Sequence, residues 1–259
     1  MMRKLFLYYI AILVLVPLAA IGADTPAASA RLTADQIVDK NIAARGGLQA
    51  WRAVQTMSYS GKMDAGGKQN AQLPFVMEMK RPRKTRVEIE FAKDKAVQVY
   101  DGANGWKLRP FLGRRNVEPF TPDEMKAASL ESGLDGPLVD YATKGTRVDV
   151  EGVEKVEGQD AYKLKLTMKD GQVRRLWIDT QTFLEVKIEG VPRRMDGKIR
   201  PVEIYYRDYK PVNGLMVPYV LETKVQGARQ SHKMTIESVV VNPKLDDALF
   251  TKPQPQPRG

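Results

Sequence analysis

The chain has 259 residues, with 41 Lys plus Arg against 31 Asp plus Glu, one His and no Cys. No disulfide, thiolate metal site, iron–sulfur cluster or cysteine nucleophile can be built from it, and one His supplies neither a two-His metal site nor an HExxH helix. The net charge of +10 raises a nucleic-acid or membrane reading, which has to be tested by position along the chain.

The first segment reads as an address. Arg3 and Lys4 precede an uncharged run from Leu5 to Ala23, broken by Pro17 and ending in small residues. This is the layout of a secretory signal peptide, with cleavage expected after Ala23. The competing reading is an uncleaved anchor, because the run nearly suffices to span a bilayer. A lipoprotein signal needs a Cys at the cleavage point, and none is present. Cleavage removes two basic residues and lowers the net charge from +10 to +8. An exported protein of this kind does not normally meet nucleic acid, so no nucleic-acid partner is expected.

Thr33 and Asp35 are candidate N-caps for a helix carrying Ile37, Ile42 and Ala43, which Gly46-Gly47 stops. A second short helix over about Leu48 to Val54 carries Trp51. Alternation then takes over. Met57, Tyr59, Gly61 and Met63 share a face, as do Leu73, Phe75, Met77 and Met79. Val87, Ile89 and Phe91 alternate with Glu88 and Glu90, Val97 and Val99 flank Gln98, and Trp106 and Leu108 flank Lys107. Farther on come Tyr162, Leu164, Leu166 and Met168, then Leu176 and Ile178, Leu184, Val186 and Ile188, and Val202, Ile204 and Tyr206. Tyr219 with Leu221 and Met234 with Ile236 end the series.

Period two with one apolar and one charged face predicts antiparallel strands, wet on one side. Asp101-Gly102, Asn104-Gly105, Asp170-Gly171, Asp196-Gly197 and Asn213-Gly214 mark hairpin turns between them. The spacing predicts roughly ten or eleven strands in a sandwich or barrel. One helical interruption is expected. Thr121-Pro122-Asp123-Glu124 reads as an N-cap with Pro at N1 and acids in the first turn, and Leu138 to Ala142 reads as a further short helix ended by Gly145. The fold class is α+β, mainly antiparallel β: a curved sheet closing partly on itself, with short helices against its mouth. The expected organisation is a signal peptide over 1–23, one domain over 24–252 and a Pro-rich tail over 253–259. Met57, Met63, Met77, Met79, Met168 and Met234 fall on inward faces, where thioethers adapt to irregular apolar partners. A filled core and a ligand cavity are both compatible with that pattern.

Reactive chemistry finds little support. Ser231 and His232 are adjacent on a strand, so their side chains point to opposite faces and form no dyad. Asp246-Asp247 follows Asn242-Pro243 and reads as a cap or turn. No GxSxG, P-loop or GxGxxG is present. No enzymatic activity, metal or cofactor is expected. Lys80 to Arg86 holds five basic residues in seven. It reads either as a solvated strand face or as a contact for anionic headgroups or an acidic partner.

Phe75-Val76-Met77-Glu78-Met79-Lys80-Arg81-Pro82, then Tyr100-Asp101-Gly102 and Asn104-Gly105-Trp106, resemble the LolA-like periplasmic outer-membrane lipoprotein carriers. The likeness runs through the helical stretch Thr121 to Ala142, where that family inserts a lid helix, to Asn242-Pro243, Leu245-Asp246, Phe250 and Pro253. The resemblance implies a half-open barrel, with helices as a lid over an apolar cavity that holds acyl chains of lipoproteins or lipids. It implies a periplasmic location, with an inner-membrane loading complex and an outer-membrane acceptor as partners; the chain is expected to act as a monomer. Leu73, Phe75, Met77, Met79, Val87, Ile89, Trp106, Leu164, Leu166 and Ile204 are the expected lining. Arg81 is assigned a gating role, hydrogen-bonding lid-helix backbone in the cargo-free state. The chain departs from the dedicated carrier in an additional hairpin region around Tyr205 to Leu221 and in its tail. A second reading is a non-enzymatic envelope scaffold or regulator that binds a protein partner with the same fold.

Overall fold

The computed structural model describes residues 32–64, 71–110, 114–131 and 133–255. The signal-peptide reading and the last four residues of the tail lie outside them. Thr33 opens helix α1 (Ala34–Ala44) with a capping box: its hydroxyl accepts from the Gln36 amide, and the Gln36 side chain accepts from the Thr33 amide. Ile37, Val38 and Asn41 form its buried face. The helix ends where Gly46 takes φ +112°, and the Gly47 amide bonds back to the Ile42 carbonyl. Helix α2 (Leu48–Ala53) follows at once and buries Trp51.

Thirteen strands form one antiparallel sheet. Six of them meander outward from the middle: β1 (Thr56–Asp64), β2 (Gln72–Lys80), β3 (Lys84–Phe91), β4 (Asp94–Tyr100), β5 (Gly105–Arg109) and β6 (Arg114–Pro119). The chain then crosses to the opposite edge through helix α3 (Pro122–Glu131) and a series of turns over 134–145. It meanders back through β7 (Arg147–Val156), β8 (Gln159–Thr167), β9 (Val173–Asp179), β10 (Glu185–Glu189), β13 (Val202–Val212), β14 (Leu215–Val225) and β15 (His232–Val241). β15 pairs with β1 and joins the halves, while β6 and β7 remain the two edges of an unclosed sheet. Between β10 and β13, β11 (Arg193–Met195) and β12 (Lys198–Arg200) form a separate two-stranded hairpin.

The sheet is larger than the expected ten or eleven strands. Leu138 to Ala142 is turn structure, not helix, although Leu138 and Val139 are fully buried. α3 matches its signals: the Thr121 hydroxyl accepts from the Glu124 amide, and the Glu124 carboxylate accepts from the Thr121 amide. α3 nevertheless has no buried side chain.

The main core lies on the concave side. Trp51, Val54, Met57, Tyr59, Phe75, Met79, Leu134, Val139, Leu215, Val217 and Ile236 pack there, so α2 and the 134–145 turns fill the sheet from within. α1 contacts β7, and its Asn41 amide donates to the Phe183 carbonyl.

Candidate functional site

Strand register decides which predicted residues share a surface. Met57, Tyr59, Gly61 and Met63 pair with Met79, Met77, Phe75 and Leu73, and Ile89 and Val87 pair with Phe75 and Met77. In the other half, Leu164 pairs with Leu176, Leu176 with Ile188, and Ile188 with Ile204. Leu166 lies two residues beyond Leu164 on the same face. Nine of the ten expected lining residues therefore stand on the concave face: Leu73, Phe75, Met77, Met79, Val87, Ile89, Leu164, Leu166 and Ile204.

Trp106 does not. It pairs with Val99, and Val99 sits with Val97, Leu108 and Phe250 in a second cluster on the convex side. Val97 pairs with Glu88, opposite in facing to Ile89, so Val97 and Val99 of β4 and Trp106 and Leu108 of β5 point outward, while Ala96 and Tyr100 share the face of Ile89. The cause lies at the end of the chain. Asp246 caps a 3-10 turn (Asp247–Phe250), which lays Phe250 and the partly buried Leu245 and Leu249 over that outer patch. The concave side of β5 carries Lys107 instead, 5% exposed, whose ammonium donates to Glu124 of α3 at 2.6 Å. Burial pushes the Glu124 carboxyl up, but hydrogen bonds from Lys107 and the Thr121 amide outweigh it and hold it below the ordinary range.

The concave face is packed at one part and half-open at another. Phe75, Leu164 and Leu166 are buried. Met63, Met77, Ile89, Leu221 and Met234 are only partly buried against the core. A cavity of about 640 Å³ opens where α3 (Lys126, Leu130) faces the ends of β9, β10, β13 and β14, with Arg174, Val191, Pro201, Val202 and Val225 among its walls. None of the expected lining residues borders it. Arg174 is 8% exposed and its Nε donates to the Glu189 carbonyl.

Arg81 bonds the backbone of a helix, but of α2. Its Nε donates to the Val54 carbonyl at 2.6 Å, and its Nη2 to the Trp51 carbonyl at 2.9 Å, which also accepts from the Val54 amide, so Arg81 caps the C-terminus of that helix. Toward the crossing segment it makes an ion pair, Nη1 to Asp135 Oδ2 at 2.9 Å. Asp135 is 3% exposed and also binds the Lys144 ammonium. Its backbone carbonyl accepts from Arg45 Nη1, which lies 3.2 Å from Glu185 of β10 and stacks over the Trp51 ring. Asp135, Arg45, Lys144 and Glu185 are absent from the sequence-level expectations. Asp135 lies between Gly133 and Gly136, and nothing local in the sequence marks it as a buried hub.

The basic run also changes meaning. Lys80 donates to the Leu245 carbonyl and pairs with Asp247, Lys84 pairs with Asp247, and Arg86 bonds Glu88 and the Leu249 carbonyl. Three of the run's five cations, Lys80, Lys84 and Arg86, clasp the C-terminal segment to the convex face. His232 is exposed at the start of β15, and Asp246 is a cap, as read from the sequence. Among the described residues, no group of three or more His, Cys, Asp or Glu is placed to hold a metal ion, and no helix is long and apolar enough to cross a membrane.

An unclosed antiparallel sheet with a helix pair and a crossing segment on its concave side is the LolA-like fold, and this chain has it. It is similar to the crystal structure of a LolA superfamily protein from Nitrosomonas europaea, with a TM-score of 0.56 and 16% identity over 85% of this chain and 98% of that one. A DUF1329 family protein from Desulfovibrio piger matches with a TM-score of 0.55 and 14% identity over 84% and 97% of the two chains. A domain designated as an outer membrane lipoprotein-sorting protein, from Vibrio parahaemolyticus, matches at 0.54 and 14% over 83% and 95%. A family model described as an uncharacterized protein matches residues 140–254. No curated protein matches the sequence.

Proposed function

We propose that this protein is a periplasmic carrier that shields acyl chains of lipids or lipoproteins on its concave face and transfers them toward the outer membrane. The observation that carries the reading is the strip Met63, Met77, Ile89, Leu221 and Met234, which stays only partly buried beside the core that α2 and the 134–145 turns fill. A solvated apolar strip gains about 0.8 kcal/mol for each CH₂ buried against it, and three of these five side chains are flexible thioethers that fit varied chains.

The cover combines the apolar side chains Trp51, Val54, Leu134 and Val139, buried in the core, with a set of polar contacts that can open. α3 has no buried side chain, and Arg81 ties down α2 through two carbonyls and the crossing segment through an ion pair with Asp135. In this reading Arg81 is the gate. Cargo displaces α2 and the 134–145 turns, and Leu73, Phe75, Met79, Val87, Leu164, Leu166 and Ile204 become lining. Loading and unloading use an inner-membrane complex and an outer-membrane acceptor, the protein works as a monomer, and it carries out no catalysis.

Binding of a fluorescent fatty-acid probe to protein isolated from the periplasm tests this. The wild type is expected to bind and enhance emission, and Met77→Glu, which puts a charge on the half-buried strip, is expected to abolish it. Equal binding by the folded variant would remove the concave face from the account.

A further inference from the structure

The fold treats its two basic segments in opposite ways. Lys80, Lys84 and Arg86 are consumed by Asp247, Glu88 and carbonyls of the C-terminal segment. The β11–β12 hairpin carries Arg193, Arg194, Lys198 and Arg200 against one acid, Asp196, and none of the four cations forms an ion pair among the described residues. Arg194 reaches only the Gly197 carbonyl, at 3.5 Å. The acid whose field touches this group is Glu131, at the end of α3, which senses Arg193. The Asp196-Gly197 turn takes positive φ at both residues, as a tight two-residue hairpin requires. Beside it, Ile199 is 67% exposed, the highest exposure of any large apolar residue in the described chain.

The hairpin is built of three-residue strands paired only with each other. Such a narrow element, with a single apolar side chain bare, offers far less than the roughly 1,000 Å² that a specific protein interface needs. It suits a surface that asks only for positive charge and a small apolar wedge. Lipid headgroups with acidic phosphates are that surface. Gly190, Val191, Pro192 and Pro201, where the chain enters and leaves the hairpin, also line the 640 Å³ cavity.

We propose that the β11–β12 hairpin docks the protein on an anionic phospholipid surface, with Ile199 entering the headgroup layer and the four cations meeting lipid phosphates. Docking there holds the cavity mouth at the membrane. What the cavity would take up rests on the carrier reading; the docking itself does not.

The absence of Cys permits a direct test. Protein isolated from the periplasm, carrying Ile199→Cys labelled with an environment-sensitive fluorophore, is mixed with phosphatidylcholine vesicles or with phosphatidylcholine–phosphatidylglycerol vesicles. A blue shift is expected with the anionic vesicles only, and none from a label at Lys244→Cys. In co-sedimentation, Arg193→Glu/Arg194→Glu is expected to weaken binding by at least about 20-fold, at roughly fivefold per cation. Lys93→Glu/Lys244→Glu, with the same change in net charge, leaves binding within about twofold. Equal losses from the two double variants would reduce the effect to net charge and overturn the proposal, as would a wild type indifferent to phosphatidylglycerol. Loss of vesicle binding with retained fatty-acid binding separates docking from the carrier reading.

Discussion

Arg81 and Asp135 meet at 2.9 Å on the concave side of the sheet, and each holds a different piece of the cover. Arg81 leaves β2 to bond the last carbonyls of α2. Asp135, in the crossing segment, gathers Lys144 with its carboxylate and Arg45 with its backbone. One contact therefore locks two covering elements to the sheet.

Replacing Arg81 with Met removes the ion pair and both helix contacts, leaving Asp135 with Lys144 alone. The expected loss of stability is about 2–4 kcal/mol. Native-state hydrogen exchange is expected to accelerate in α2 and in the 134–145 turns while the β1–β15 pairing keeps its protection. Unchanged protection of α2 would contradict the latch.

Phe250 tests the convex cluster. It is 1% exposed and covers Val97, Val99 and Leu108. Phe250→Ala is expected to cost about 3–5 kcal/mol in chemical denaturation, and the fatty-acid probe should still bind, because this cluster faces away from the concave strip. A neutral substitution would mean that the C-terminal segment is not part of the cooperative unit.

These two sites also show what the sequence could and could not tell. Period-two alternation correctly put Phe75, Met77 and Met79 on one face, because neighbours two apart on a strand always agree. It could not say that Val97, Val99, Trp106 and Leu108 face the convex side, since Phe250, which packs with them there, lies far away in the chain. β7 escaped the pattern for a local reason. A bulge between Val150 and Gly152, with Gly152 at φ +144°, breaks the alternation midway. β6 has Val117 as its only aliphatic branch and presents no alternation to read. The basic run over 80–86 was visible, but its acceptors at Leu245, Asp247 and Leu249 were not, because charge counts carry no partners.

The turn between α1 and α2 separates two costs. Gly47 takes φ +94° in open space, while Gly46, at φ +112°, would also drive a Cβ into the Gly214 carbonyl. Gly47→Ala is expected to cost about 1–3 kcal/mol from backbone strain alone. Gly46→Ala should cost more, because the β13–β14 hairpin must also move. Denaturation midpoints of the two variants check the order, and a reversed order would refute the close approach.

Alkaline pH should unfold the protein through its tyrosines. Burial pushes the phenols of Tyr59, Tyr206 and Tyr209 above their ordinary value, and the hydrogen bond to Asp35 followed by burial pushes Tyr141 up to about 12. A raised acid holds its proton more tightly when folded. Its contribution is complete below the unfolded value of 10.0 and disappears as pH climbs from there toward the folded values. Tyrosinate absorbance and far-ultraviolet circular dichroism are expected to change together above pH 10.0. Ionisation of Tyr59 without loss of structure would contradict its burial.

The carrier reading meets its most direct test in what the protein holds when it leaves the cell envelope. Native mass spectrometry of protein isolated from the periplasm, followed by lipid extraction of the same sample, should find adducts of acyl-chain mass in the wild type, and fewer or none in Met77→Glu. A wild type that flies only at its bare polypeptide mass and yields no lipid or acylated peptide on extraction would contradict the account.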